Sequence, residues 1–283
     1  MGYNQDMGTL YLIATPIGNL EDISGRALRL LRDVKLVAAE DTRVTRNLFR
    51  HFDIHTTLTS YFEHNKLTKL DSILAALESG DVALVSDAGT PGLNDPGYEL
   101  VHAALDAGHR VSPVPGPASP VAALVASGLP TDSFLYLGYL PRKSSERKKF
   151  LERVADLPYT LIFLEAPHRL FDSFEDLQVI LGDRPIAVAR ELTKLHEEIW
   201  RGMLSQAQVH FKEPRGEFVL VVSGQQSDFS KEWPKEKLLA KIKKEIESGK
   251  SSKDISSGLA EQSGWKKRDI YRLITNEDKE KTP

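Results

Sequence analysis

Short β-branched or apolar runs alternate with amphipathic stretches through the first half of the chain. Residues 10–14, 36–39, 82–86 and 110–114 read as strands, while 24–32, a stretch from about Thr42, 67–77, 98–107 and 120–126 carry apolar positions at helical spacing. That alternation predicts a parallel sheet of about five strands. Ser119-Pro120 fits a helix start, since serine caps free N–H groups and proline at the first helical position forfeits no hydrogen bond; Gly128 closes that helix. From Phe134 a second α/β pattern begins, with strands at 134–140, 160–164, 186–190, 198–201 and 218–222 and a helix at 168–181. The junction falls near Thr131.

After Asp228 the chain turns lysine-rich, with Leu238, Leu239, Ile242 and Ile246 on one helical face. Ile255, Leu259 and Ala260, then the turn Ser263-Gly264-Trp265, then Ile270, Leu273 and Ile274 give the pattern of a helix-turn-helix. The expected organisation is an N-terminal α/β domain (1–131), a second α/β domain (132–228) and a small basic C-terminal helical domain (229–283).

Composition narrows the class. Apolar residues at 41% and charged residues at 27% are ordinary for a folded globular chain. With no cysteine there is no disulfide, no thiolate metal site and no cysteine nucleophile, which suits a reducing compartment. The polar stretch 1–9 lacks a signal-peptide core, and no apolar run approaches the roughly 18 residues that span a bilayer. A cytoplasmic protein without a membrane partner is expected.

The net charge of −3 hides an uneven distribution. Residues 230–283 hold 14 Lys and Arg against 10 Asp and Glu, a net +4, which leaves −7 on the remaining 229 residues. Residues 142–153 hold six basic groups against two glutamates. Local basic character of this kind suits a polyanion partner.

In open α/β sheets ligands lie beyond the carboxyl ends of the strands. Three loops at such positions are rich in glycine and proline: 15–22 (TPIGNLED), 86–96 (SDAGTPGLNDP) and 113–120 (PVPGPASP). Glycine admits close approach of a ligand to the backbone, and proline lowers the entropy lost on ordering. The usual nucleotide signatures are missing. No G-x-G-x-x-G follows the first strand, Gly249-Lys250-Ser251 has Lys244 where a phosphate loop needs glycine, and neither G-x-S-x-G nor H-E-x-x-H occurs.

At these loops the sequence resembles the tetrapyrrole methylase-like class of S-adenosylmethionine-dependent methyltransferases. The matching segments are 10–22, 38–43 (AAEDTR), 84–97, 114–124, 134–142, 164–169 and 216–222, in order across both α/β regions. The resemblance implies two α/β domains with S-adenosylmethionine in the cleft between them, commonly a homodimer. It also implies 2′-O-methylation of a decoding-region cytidine in small-subunit (16S) ribosomal RNA. Members that act on tetrapyrroles usually carry a glycine-rich first loop; Ala14-Thr15-Pro16-Ile17-Gly18-Asn19 departs from it and favours the RNA branch. Two other readings are a tetrapyrrole precursor as acceptor and a helix-turn-helix nucleic-acid-binding regulator.

On that resemblance the donor contacts are Pro16, Ile17, Asp87, Gly89, Thr90, Pro91, Pro115, Ala118, Ser119 and Glu165. Methyl transfer needs alignment of the acceptor and no metal. A carboxylate or histidine that takes the ribose hydroxyl proton helps by about 10²–10⁴-fold. Asp22, Glu40, Asp41 and His168 are the candidates, Asp41 first because Arg43 beside it keeps it ionised. RNA phosphates are expected on Arg142, Lys143, Arg147, Lys148, Lys149 and Arg169, and on Lys266, Lys267 and Arg268.

Overall fold

A computed structural model describes residues 7–225 and 233–280, with the backbone alone at 261 and 276–280. An all-parallel sheet is built from β1 (Thr9–Ile13), β2 (Leu36–Ala39), β3 (Leu58–Ser60), β4 (Val82–Val85) and β5 (Arg110–Val114). Its order is β3-β2-β4-β1-β5. The helices α1 (Gly25–Asp33), α2 (Thr42–His51), α3 (Lys66–Leu77) and α4 (Tyr98–Asp106) connect the strands, and α5 (Ser119–Ser127) follows the last.

Both faces of this sheet are covered, which is why β4 reads Val-Ala-Leu-Val without polar alternation. Val82 and Leu84 pack with Leu10, Ile73 and Leu100, whereas Ala83 and Val85 meet Ile13, Leu31 and Phe49 on the opposite side. The edge strand β3 is a strand the hydrophobic pattern does not announce, because its Leu-Thr-Ser is only half-buried.

The second sheet contains β6 (Phe134–Tyr139), β7 (Thr160–Glu165), β8 (Pro185–Arg190), β9 (Glu198–Met203) and β10 (Phe218–Val222), in the order β6-β7-β10-β8-β9. Only β6 and β7 run parallel; β10 is antiparallel to β7 and β8, and β9 to β8. The helices are α6 (Ser144–Glu152), α7 (Leu170–Leu181) and α8 (Leu204–His210). α6 lies in the basic run and α8 carries a weak apolar pattern.

Helix α5 ties the two sheets together. It follows the first sheet in sequence, yet its Ala123 and Leu124 are buried with Ile162, Ala187, Val219 and Val221 of the second. Full burial of a leucine stabilises by about 2 kcal/mol. Both sheets accordingly fall in one compact unit that reaches Ser223. The start of α5 differs from the expected cap: Ala118 is the flanking residue, with no side-chain hydrogen bond, and Ser119 is already helical. Pro120 at the second helical position suits this as well, because that N–H has no partner inside the helix either.

The other unit is a helical bundle of α9 (Lys235–Glu247), α10 (Ser252–Ser263) and α11 (Lys267–Glu280). Leu238, Ile242, Ile255, Leu259, Ile270 and Ile274 form its core. The Ser251 hydroxyl accepts from the Asp254 amide at 3.2 Å and so starts α10. Trp265 donates its indole N–H to the Trp233 carbonyl at 2.8 Å. The junction expected near residue 228 and the first six residues of the polar opening lie outside the described residues. Among the described residues no helix is long and apolar enough to cross a membrane.

Candidate functional site

The three glycine- and proline-rich loops converge at the carboxyl edge of the first sheet and are hydrogen-bonded to one another. Thr15 and Gly89 exchange two backbone hydrogen bonds, of 2.9 and 3.0 Å. Thr15 Oγ1 donates to the Ser86 carbonyl at 3.1 Å, and Thr90 Oγ1 donates to the Pro117 carbonyl at 3.1 Å. The loop after β2 joins them: the Asp41 amide donates to Asp87 Oδ1 at 2.9 Å, and the Asp87 amide donates to Glu40 Oε2 at 3.3 Å. Such cross-bonded loops present a preorganised surface to a ligand.

These loops form one side of a cavity of about 290 Å³. Ile17, Glu40, Asp87, Gly89, Thr90, Asn94, Asp95, Ala118 and Ser119 line it from this side. The opposite side comes from the second sheet, through Tyr136, Tyr139, Leu164, Ala189, Glu191, Lys194 and Glu217. Five carboxylates and a single lysine thus face the same space. Lys194 Nζ pairs with Glu191 Oε1 at 2.9 Å.

Burial shapes the acidity of this wall. It pushes Asp95 up to about 6, with repulsion from Glu40, Asp87 and Glu217 added and the Ser86 hydroxyl in opposition. Glu40 and Asp87 are likewise raised, chiefly by burial, although each accepts a backbone N–H that works the other way. Burial also drives the Tyr136 hydroxyl up to about 12, and its Oη has no hydrogen-bond partner among the described residues. A buried hydroxyl of this kind needs a partner from a ligand or from water.

The second-sheet side of the cavity depends on a bulge. Strict alternation along β6 would put Tyr136 and Tyr139 on opposite faces. The β6–β7 pairing instead shifts register between them, at Gly138, whose φ is +65°. An inserted residue re-aims the side chain that follows it, and both tyrosines line the cavity.

Six of the ten expected donor contacts line this cavity: Ile17, Asp87, Gly89, Thr90, Ala118 and Ser119. Pro16 lines an adjoining hollow with Asp87 and Val44. Pro91 is buried behind the loop, and Pro115 is exposed outside it. Glu165 corrects the expectation of a direct contact. It is only 1% exposed, its Oε2 accepts from Ser173 Oγ, and its Oε1 accepts from the Ala166 amide and faces Arg169.

Asp41 caps α2 instead of facing the cavity. Its Oδ1 accepts from the Arg43 amide at 2.8 Å, and the Arg43 guanidinium engages both oxygens at 2.6–3.1 Å. Those hydrogen bonds hold its pKa at about 2, which makes it a weak base, and Arg43 itself points into solvent with 85% of its side chain exposed. His168 lies apart from the cavity as well, in a wider hollow of about 780 Å³ lined by Tyr139, Leu140, Pro141, Arg142, Arg147, Ala166, Arg169 and Asp172.

Two expected phosphate contacts are structural. Arg147 is 2% exposed and pairs with Asp176 through Nε at 2.7 Å, so no phosphate reaches it without breaking that pair. Arg169 spends its guanidinium on the Leu140 and Pro141 carbonyls, with 15% of its side chain exposed. Arg142, Lys143 and Lys149 are exposed, while Lys148 reaches Asp176 Oδ1 at 3.3 Å. In the helical bundle, Lys266, Lys267 and Arg268 are exposed at the start of α11, where cations oppose the helix dipole.

Glu191, Lys194 and Glu217 escape a reading of the sequence by motif. Glu191 directly follows β8, so the strand-end rule used for the first sheet would have reached it. Glu217 precedes β10. It arrives because β10 is antiparallel to its neighbours and places Phe218 opposite Glu165 and Arg190, the last residues of β7 and β8.

Residues 9–208 match the family model of the Tetrapyrrole (Corrin/Porphyrin) Methylases. A crystal structure of uroporphyrin-III C-methyltransferase from Thermus thermophilus shares the fold, with a TM-score of 0.54 and 22% identity over 76% of this chain and 97% of that one. Ribosomal RNA small subunit methyltransferase I of Halalkalibacterium halodurans is 46% identical over 96% of each chain. The protein of that name from Synechocystis is 45% identical over 94% of this chain and 97% of its own, and that from Escherichia coli O157:H7 is 43% identical over 95% of each. With near-complete coverage at this identity, the chain belongs to the tetrapyrrole methylase family and, within it, to the group of ribosomal RNA small subunit methyltransferase I proteins.

Proposed function

We propose that the protein is an S-adenosylmethionine-dependent methyltransferase that methylates the ribose 2′-hydroxyl of a decoding-region cytidine in small-subunit ribosomal RNA. The observation that carries this reading is the 43–46% identity, over almost the whole chain, to proteins named ribosomal RNA small subunit methyltransferase I; the ribose of a decoding-region cytidine as acceptor is what the family resemblance adds to it. The cofactor suits the cavity. Its carboxylate wall complements a sulfonium cation, and the unpartnered Tyr136 hydroxyl offers a hydrogen bond to a polar group. Bound there, S-adenosylmethionine supplies an electrophilic methyl group.

The chain's own residues then have distinct tasks. Asp87, fixed by the Asp41 amide, accepts hydrogen bonds from donor hydroxyl or amino groups. Gly89, Thr90, Ala118 and Ser119 shape the pocket through backbone and contour, with Ile17 as an apolar wall. Asp95 is the carboxylate best matched to take the hydroxyl proton, because a base works best when its pKa approaches the working pH.

The test is incubation with methyl-labelled donor and small ribosomal subunits that lack the modification, followed by nucleoside analysis. Labelled 2′-O-methylcytidine is the expected product. Label in a base, or in no nucleoside, overturns the reading.

A further inference from the structure

The donor cavity and the wider hollow share one wall. Tyr139, 47% exposed, lines both. Beyond it, the Leu140–Pro141–Arg142 backbone is pinned from behind by two arginines. Arg169 donates to the Leu140 and Pro141 carbonyls, and Arg147, itself locked to Asp176, donates to the Pro141 and Arg142 carbonyls. Each of the three carbonyls therefore accepts a guanidinium hydrogen bond.

This scaffold presents a cation that no ion pair holds among the described residues. The Arg142 side chain is exposed and has no ion pair or hydrogen bond among the described residues, and the same holds for the His168 imidazole in the same hollow. One carboxylate, Asp172, lies in the same hollow and limits its positive character. A free guanidinium on a fixed backbone is a preorganised fork for phosphate oxygens. With an imidazole in the same hollow and a mostly apolar floor of Leu140, Pro141 and Ala166, the lining suits the mixed polarity of a nucleotide, and the hollow is roomy enough to admit one.

We propose that this hollow seats the acceptor nucleotide of a single-stranded RNA segment, with its phosphate at Arg142 and His168 and its ribose at the Tyr139 boundary with the donor cavity. The inference rests on the methyltransferase reading above and adds the acceptor's place to it. Arg142 and His168 are thereby positioning residues for RNA, and Tyr139 borders the place where the ribose meets the donor.

The experiment compares the full-length protein with Arg142→Ala, Arg142→Lys, His168→Gln and Arg110→Ala. Arg110 is an exposed cation that opens β5 at the amino end of the first sheet, away from the loops. Fluorescence anisotropy with a labelled cytidine-containing RNA dodecamer is measured against salt. Arg142→Ala is expected to raise the dissociation constant roughly tenfold, the loss of one charge-assisted hydrogen bond. It also flattens the log–log salt slope by about 0.7, the value for one phosphate on a single strand. Arg142→Lys keeps the slope, His168→Gln weakens binding, Arg110→Ala leaves it unchanged, and donor affinity is the same throughout.

Equal effects of Arg142→Ala and Arg110→Ala, or a matching loss of donor affinity, overturn the proposal. The two readings fail separately. RNA binding that depends on Arg142, without methyl transfer to ribosomal subunits, keeps the hollow and removes the ribosomal acceptor. Transfer with the same KM for subunits in the wild type and Arg142→Ala keeps the acceptor and removes the hollow.

Discussion

The Asp41 amide donates to the Asp87 carboxylate at 2.9 Å, while the Asp41 carboxylate turns to the start of α2 and the guanidinium of Arg43. The two acids are coupled through a main-chain group, so a side-chain substitution at Asp41 leaves the support of Asp87 in place. Asp41→Asn still accepts from the helix N–H groups, since asparagine caps as well as aspartate. It is expected to keep donor affinity and most of the turnover. Asp87→Asn is expected to weaken donor binding with little change in turnover at saturation. Isothermal titration with S-adenosylmethionine and single-turnover rates check both. A rate loss of about 10²-fold or more in Asp41→Asn, at unchanged donor affinity, would return the base to Asp41.

Asp95 links the site to stability. Its pKa in the folded protein is about 6 against an ordinary 3.8, so the folded state holds the proton more tightly. The stabilisation that this proton gives is complete below pH 3.8 and is lost as pH rises through 6. Asp95→Asn removes the penalty of the ionised, half-buried carboxylate. The variant is expected to gain about 1 kcal/mol above pH 6, after allowance for solvent screening, with the gain fading towards pH 4. The same change is expected to slow methyl transfer by about 10²-fold or more. Thermal melts from pH 4 to 8 beside single-turnover rates give both numbers. A variant that is neither more stable nor slower would show that Asp95 is an ordinary surface acid.

The first-sheet half of the cavity is legible in the sequence because its loops directly follow strands, where glycine and proline stand out from the apolar runs. Asp87, Gly89 and Thr90 come from that signal. The second-sheet half is different. Glu217 faces the cavity only because β10 runs against β7 and β8, and a strand's direction within a sheet is a property of the whole topology. Tyr139 joins Tyr136 through a one-residue bulge that the run FLYLGY does not specify beyond its glycine. Basic residues are easily counted but poorly sorted by sequence. Arg142 and Arg147 stand five apart in one run, yet the first is exposed and the second is buried on Asp176, a carboxylate 29 positions away.

That sorting gives opposite expectations for two cations of the run. Arg147→Ala leaves the Asp176 carboxylate buried with Ser144 and the half-exposed Lys148 as its remaining partners among the described residues. Loss of one member of a buried pair costs about 3 kcal/mol or more. Lys149, exposed on the same helix, is expected to change stability by less than about 0.5 kcal/mol when replaced by alanine. Denaturant unfolding of both variants measures the contrast. Equal stability of the two would mean that the Arg147–Asp176 pair contributes nothing to the fold.

Gly138 and Gly108 separate backbone strain from damage to the site. Both have positive φ, +65° and +85°. A side chain at Gly108 would meet nothing within 4 Å, whereas a Cβ at Gly138 would lie 2.5 Å from Asn94 Nδ2 and 3.0 Å from its Oδ1. Either alanine variant bears a left-handed backbone cost of about 1–2 kcal/mol, and melting temperatures are expected to fall by several degrees in both. Only Gly138→Ala must also push Asn94, a cavity residue, away from the tyrosine wall. Donor affinity is therefore expected to drop in Gly138→Ala and to remain at the wild-type value in Gly108→Ala. Pairing Gly138→Ala with Asn94→Ala clears the clash while leaving the strained φ. Recovery of donor affinity without recovery of melting temperature would assign the binding defect to the displaced Asn94 side chain, and a double variant that binds no better than Gly138→Ala would assign it to the bulge itself.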